Sequence, residues 1–162
     1  MPSLVVLPYD PRWREAFVAE HARLISALGG VARRIEHNGS TAVPGLAAKP
    51  IIDIQISVRA LQPMDAYGIP LQQLGYIHLP HPDDAWCPFF HRPRQWPHTH
   101  HIHVVVSGDD EEARTLAFRD YLCDHPAVAA EYAKLKMALA PRFSATEFGA
   151  RQAYADAKGE FI

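Results

Sequence analysis

Apolar positions recur along this chain with two different periods, and the switches between them mark out the elements. Trp13, Phe17, Leu24, Ile25 and Leu28 return at helical spacing behind Asp10-Pro11 and before Gly29-Gly30, which predicts a first helix with an aspartate cap and a glycine stop. "VARRIEHNGST" then predicts a short strand running into the turn Asn38-Gly39-Ser40, and "GSTAVPGLAAKP" a turn with one short helix. In "IIDIQISV" the two faces separate by alternation: Ile52, Ile54, Ile56 and Val58 point one way, while Ile51, Asp53, Gln55 and Ser57 point the other. A carboxylate and an amide thus stand on a face expected to be buried or to line a cleft.

"PMDAYGIPLQQLG" predicts a helix interrupted at Pro70, and "YIHL" a brief strand. Residues 80–97, rich in proline and carrying Trp86, Phe89, Phe90 and Trp96, predict a long, irregular, packed loop. "HIHVVV" is a strand with His101, His103 and Val105 on one face and Ile102, Val104 and Val106 on the other. Three helices are expected to finish the chain. The first begins at Ser107 to Asp110 and packs through Leu116, Phe118, Tyr121 and Leu122; the second begins at Asp124-His125-Pro126 and carries Val128, Tyr132, Leu135 and Leu139. Ser144 to Glu147 is a capping box for the third. Together these elements predict one α/β or α+β domain over residues 1–162, a mixed sheet flanked by helices with a helical C-terminal part.

Composition narrows the function. With 16 basic against 18 acidic residues and a formal charge of −2, the chain has no global field for a polyanion, so no nucleic acid is expected and any phosphate binding must be local. Two cysteines, Cys87 and Cys123, make no disulfide framework and show no metal-finger spacing. No apolar run approaches membrane-spanning length, and the start lacks a basic region followed by a long apolar run, so a cytoplasmic protein without membrane attachment is expected. Ten histidines stand out, because five of them fall between His91 and His103.

The candidate chemistry gathers around three places. Gly39 and Ser40 form a strand-to-helix turn whose amides and hydroxyls, with Thr41 and Lys49, can approach a phosphate. Asp53 stands on the next strand as a ligand or as a structural acceptor. His101 and His103, two apart on a strand with Cα atoms roughly 6.6 Å apart, can converge on one ion, whereas His98 and His100 read as solvent-exposed loop residues. Glu36, His37 and Gln55 are supporting candidates, and Lys49, Arg119, Lys134, Lys136 and Lys158 are candidates for a basic rim. Trp86, Phe89, Phe90 and Trp96 either stack a base or form a small satellite core. A histidine-triad hydrolase would need a third alternate histidine where Val105 stands. Two His-x-Thr/Ser elements are absent, and the Gly-x-x-x-x-Gly-Lys-Ser/Thr of a P-loop is missing too.

"IEHNGSTAVPGLAAKPIIDIQI", with "YDPRW", the "HIHVV" strand and the tail "FRDYLCDHPAVAAEYAKLK", resembles the GrpB family over nearly the whole chain. That family in turn resembles the DNA polymerase beta-type nucleotidyltransferase superfamily, and a related module occurs fused to dephospho-CoA kinase. The resemblance implies a Gly-Ser turn and three acids that hold two divalent ions. Gly39 and Ser40 match the turn and Asp53 the first acid. Gln55 stands at the second acid, and His101 or His103 at the third. An amide and an imidazole do not neutralise two Mg²⁺ as carboxylates do, whereas Asp53, His101 and His103 as a two-His, one-carboxylate set favour Zn²⁺, Mn²⁺ or Fe²⁺.

The sequence thus leads to an expected nucleotidyltransferase-superfamily protein binding a nucleotide or phosphorylated small molecule, with a divalent metal (Mg, Mn or Zn). Nucleotidyl transfer would use Asp53 at the metal, Ser40 at a phosphate and His103 as ligand or general base. The alternatives are a non-catalytic binding or regulatory module of the same fold and a metal-dependent phosphoester hydrolase.

Overall fold

The computed structural model describes residues 4–143; the third C-terminal helix expected from Ser144, and Lys158, lie outside the described residues. Among the described residues four α-helices flank one five-stranded mixed sheet, an α+β arrangement. The elements are α1 (Arg12–Leu28), β1 (Ala32–Asn38), β2 (Ile52–Val58), α2 (Asp65–Gln73), β3 (Ile77–His78), β4 (Phe89–Arg92), β5 (His100–Val106), α3 (Asp110–Asp124) and α4 (Pro126–Leu139). The sheet order is β1-β2-β5-β4-β3, with β2 and β5 parallel at the centre and the remaining pairs antiparallel.

Alternation along β2 and β5 decides where the core sits. Ile52, Ile54, Ile56 and Val58 join Ile102 and Val104 on one face, all at most 3% exposed. They pack with Trp13, Leu24 and Leu28 of α1 and Tyr67 and Leu71 of α2. Asp10 caps α1 as expected, its Oδ1 accepting from the Arg12 N–H at 2.9 Å. Ile25, expected among the packing residues, is instead 51% exposed, because the helix turns it to the solvent side. Tyr121 of α3 is likewise exposed, at 47%.

Two boundaries differ from expectation for physical reasons. α2 runs through Pro70 without interruption: the proline removes only its own N–H, and the fully buried Tyr67 and Leu71 anchor the helix on either side. The segment 80–97 contains a strand, β4, between Pro88 and Pro93. Its four residues are too short to show alternation, and its prolines sit at ends where no N–H is needed; the Pro88 carbonyl accepts from the Val104 N–H at 2.9 Å. Phe90, weighed as a stacking side chain, faces the main core at 2% exposure against Tyr67.

Candidate functional site

The other face of the same strands carries the candidate polar side chains, and the register places them row by row. Asn38 of β1 pairs with Asp53 of β2, Asp53 with His101 of β5, and His101 with His91 of β4. The next row is Glu36, Gln55, His103 and Phe89. Residues paired across a ladder point to the same side, so Asp53, Gln55, His101 and His103 share one surface. His37, one residue away from both Glu36 and Asn38, points to the opposite face, where it stacks on Phe17 with ring centroids 4.7 Å apart.

Above this surface opens a cavity of about 680 Å³. Its walls include Lys49, Cys87, Phe89, His91, Trp96, His98, His101 and His103, with Trp86, Arg94, Glu111 and Arg114 around it. Trp86, at the cavity, is 49% exposed. The acids near it are already engaged: Glu111 pairs with Arg114 at 2.8 Å and Asp83 with His81 at 3.3 Å.

Gly39 explains the close fit of the turn on Asp53. Its φ is +67°, a region that favours glycine, and a Cβ built on it would lie 2.6 Å from Asp53 Oδ2. Ser40 follows in a short 3₁₀ turn, its side chain hydrogen-bonded to the buried Tyr132 of α4. Thr41 is not brought to the cavity. It is 2% exposed, with its hydroxyl at 2.9 Å from His37 Nε2 and donating to the Ile51 carbonyl at 3.3 Å, so it ties the turn to the sheet. Lys136, a candidate for the basic rim, is also interior: it donates to the Ala47 carbonyl, 4.8 Å over the Tyr132 ring. Arg119 holds Glu36 at 2.8 Å and the His37 carbonyl at 3.0 Å, which docks α3 on β1.

Gln55, at the position of the second acid, is a buried junction. Its Oε1 accepts from Thr115 Oγ1 at 2.5 Å and from Asn38 Nδ2 at 3.2 Å, while its Nε2 donates to the Glu112 carbonyl at 3.3 Å. At 1% exposure its polar atoms are matched by β1 and α3 rather than turned to a ligand. A carboxylate there could not make the bond to the Glu112 carbonyl.

The histidines divide between the faces. His100 lies on the core face, its Nδ1 3.2 Å from an Arg92 nitrogen and 2.8 Å from Thr99 Oγ1; burial, then the Arg92 charge, holds it neutral to about pH 4. His101 Nδ1 stands 3.6 Å from Asp53 Oδ1, and His101 Nε2 lies 3.0 Å from His98 Nδ1. His91 stacks on His98 with centroids 4.1 Å apart and donates through Nδ1 to the Pro93 carbonyl at 2.9 Å. Burial pushes His101 well below the usual imidazole range, and the nearby His103, Lys49, His98 and His91 push it the same way. His103 is lowered by burial, opposed by Asp53 and Glu111. Neither His98 nor His100 is the free loop residue that the sequence suggests. The missed signal at His98 is a three-residue separation from His101 across a turn, which only the β4–β5 register makes meaningful.

Cys87 Sγ lies 3.9 Å from His103 Nδ1, yet burial first and then Glu111 and Asp83 push the thiol up to about 12, so it is no thiolate nucleophile at neutral pH. The expected metal set does not fit either. Of the expected ligands Asp53, His101 and His103, His103 Nδ1 faces the Cys87 sulfur, and His101 turns Nδ1 towards Asp53 and Nε2 to His98. Among the described residues no group of three His, Cys, Asp or Glu side chains is placed to hold one ion. No helix among them is long and apolar enough to cross a membrane.

Comparison with known proteins agrees with this architecture. The chain is 40% identical to a UPF0157 protein of Halalkalibacterium halodurans, covering 99% of this chain and 79% of that one. It is 30% identical to the glutamate-rich protein GrpB of Alkalihalophilus pseudofirmus, over 99% of this chain and 92% of the relative. A dephospho-CoA kinase of Mycobacterium leprae is 32% identical over 94% of this chain, but the match spans only 43% of the kinase. The crystal structure of the conserved protein GrpB from Enterococcus faecalis superposes with a TM-score of 0.80 at 31% identity, covering 97% of this chain and 96% of that one. A family model described as GrpB protein matches residues 3–162, and the chain belongs to the GrpB family.

Proposed function

We propose that the protein binds a nucleotide or another phosphorylated small molecule in the cavity over the polar face of the sheet. One observation carries this reading: a cavity of about 680 Å³ brings Lys49 and Arg94 together with the aromatic side chains of Trp86, Phe89 and Trp96. Cations suit a phosphate, and flat apolar rings suit a base or a similar planar group. The kinase relative supports a phosphorylated ligand only through its printed name, and the matched part is less than half of it.

Two-ion nucleotidyl transfer is not part of this proposal, because the Gln55 junction leaves no place for the second acid. Whatever chemistry follows binding rests on the side chains of the cavity. A non-catalytic module and a hydrolase share the same pocket and differ only in what becomes of the ligand.

The test is a thermal-shift screen in EDTA against nucleoside mono-, di- and triphosphates, sugar phosphates and inorganic phosphate, repeated with Mg²⁺, Mn²⁺ and Zn²⁺. A ligand present at a hundred times its Kd adds about 2.7 kcal/mol to native stability. The expected outcome is a rise in Tm with at least one phosphorylated compound without metal, reduced in Lys49→Ala and in Arg94→Ala. No rise with any compound at millimolar concentration defeats the reading.

A further inference from the structure

The cavity is charged at both ends, with opposite sign. Two rows of the sheet contribute to its wall, one through His101 and His91 and the next through His103 and Phe89, and residues two apart on a strand lie roughly 6.6 Å from one another. The first row is the cationic end. After burial and the neighbouring His103, the charge of Lys49 acts most strongly on His101, and Arg94 follows Pro93, whose carbonyl accepts from His91 Nδ1 at 2.9 Å. Asp53, with Oδ1 3.6 Å from His101 Nδ1, offsets part of that charge.

The second row is the acidic end. Cys87 Sγ stands 3.9 Å from His103 Nδ1, and after burial the groups that govern the thiol are Glu111, Asp83, Arg114 and Asp84, three carboxylates against one cation. Each carboxylate has a neighbour: Arg114 lies 2.8 Å from Glu111, His81 3.3 Å from Asp83 and His78 3.0 Å from Asp84. Pairing between ions does not cancel the polarity, because an ion pair leaves the net charge of its end unchanged. Burial keeps His101 and His103 neutral, so neither ring alters the balance. Phe89 lies in this row and Trp86 adjoins Cys87, which puts flat apolar side chains at the acidic end as well.

We propose that the cavity selects a compound with one phosphoryl group, whose opposite end is planar and uncharged or cationic, and that Asp83 and Glu111 exclude polyphosphates. The selection rests on the phosphorylated-ligand reading and narrows it to a class of substrate. A phosphomonoester carries about −1.5 to −2 charges at neutral pH, which suits the end where Lys49 and Arg94 stand. Each further phosphoryl group adds negative charge and extends it towards the second row, where it meets carboxylates. The discrimination thus comes from a repulsive element rather than from an added contact.

Isothermal titration in EDTA reads this directly, at about pH 8, where ordinary imidazoles are neutral, and at about 0.15 M salt. One series is AMP, ADP and ATP; the other is ribose 5-phosphate against 5-phosphoribosyl 1-diphosphate. The singly phosphorylated member is expected to bind tightest, with affinity falling about tenfold from AMP to ATP. In Glu111→Gln and in Asp83→Asn that ratio should shrink, because ATP gains more than AMP. The Tm of each variant without ligand checks that it is folded, and one folded variant suffices. ATP bound by the unmodified chain as tightly as AMP overturns the selection and leaves the phosphorylated-ligand reading standing. A ratio that neither folded variant moves overturns the role of the two carboxylates. If no member of either series binds at millimolar concentration, the selection falls, and the reading falls with it when the wider thermal-shift screen is also silent.

Discussion

The two faces of the sheet are made by alternate residues of the same strands, yet they handle polar groups in opposite ways. On the core face the polar groups are few and close on one another in small sets, His37 with Thr41 and a larger one around Glu20. Glu20 of α1, 3% exposed, accepts from Tyr76 at 2.8 Å and from Arg92 at 3.2 Å, and pairs with Arg23 at 2.9 Å. Its carboxyl is pulled below the usual range: burial opposes this, and the bonds from Tyr76 and the arginines outweigh burial. On the cavity face polar groups run across four strands, and Gln55 alone joins β1, β2 and α3. The core face closes its polar groups on one another, whereas the cavity face leaves several of them lining a space.

Removing Glu20 tests the core face most severely. Glu20→Ala leaves Arg92 beside the Leu74 carbonyl without its carboxylate, and the expected loss is about 3–5 kcal/mol by urea denaturation. On the cavity side, Gln55→Glu places a carboxylate against the Glu112 carbonyl; about 2–4 kcal/mol is expected to be lost, with no gain of Mg²⁺-dependent nucleotide transfer. Such a gain would show that the amide is a substituted metal acid and would undo the contrast. Gly39→Ala forces a side chain into the positive-φ region against Asp53, for an expected cost of about 1–3 kcal/mol and a shift of the His101 NMR signals.

The contrast extends to pH. His37 and His100, both on the core face, are held neutral to about pH 4, by burial first and by Arg119 and Arg92 next. Their unfolded values lie near 6.5, so the unfolded chain binds more protons between the two. The stability they favour is present above pH 6.5 and is lost as pH falls towards 4. His37→Phe is expected to flatten the stability profile from pH 6.5 to 4.5, a window above that of the carboxylates, as measured by Tm against pH. The smallest effect belongs to neither face: Ile25→Lys, at an exposed position of α1, should change stability by less than about 0.5 kcal/mol.

Legibility followed range in the chain. α1, β2, β5 and the Gly39-Ser40 turn announce themselves by local period, cap or glycine, and they stand where the pattern placed them. That Asp53 and His101 are lateral neighbours was implied only by the family resemblance, and the parallel register shows it. β4 and the fate of Gln55 were not readable, because each depends on a partner elsewhere in the chain, β5 and α3 respectively; His98 lies only three residues from His101, but no local pattern shows that the turn brings the two rings together. Thr41 and His37 looked like site residues because they adjoin the turn, but strand alternation turns His37 to the core and Thr41 follows it.

The parallel pairing of β2 with β5 also sets an order of assembly. β1 and β2 form an antiparallel pair from nearby segments, and the Gly39 turn against Asp53 can be made with them. β5 reaches its place only after the chain has passed through α2, β3 and β4, so closure of that long loop must precede any contact between Asp53 and His101. Such non-local pairing is slow because chain entropy is lost before contacts compensate it. The cavity is therefore among the last parts of the molecule to form, and a nascent chain that has not yet delivered β5 carries the carboxylate without its imidazoles.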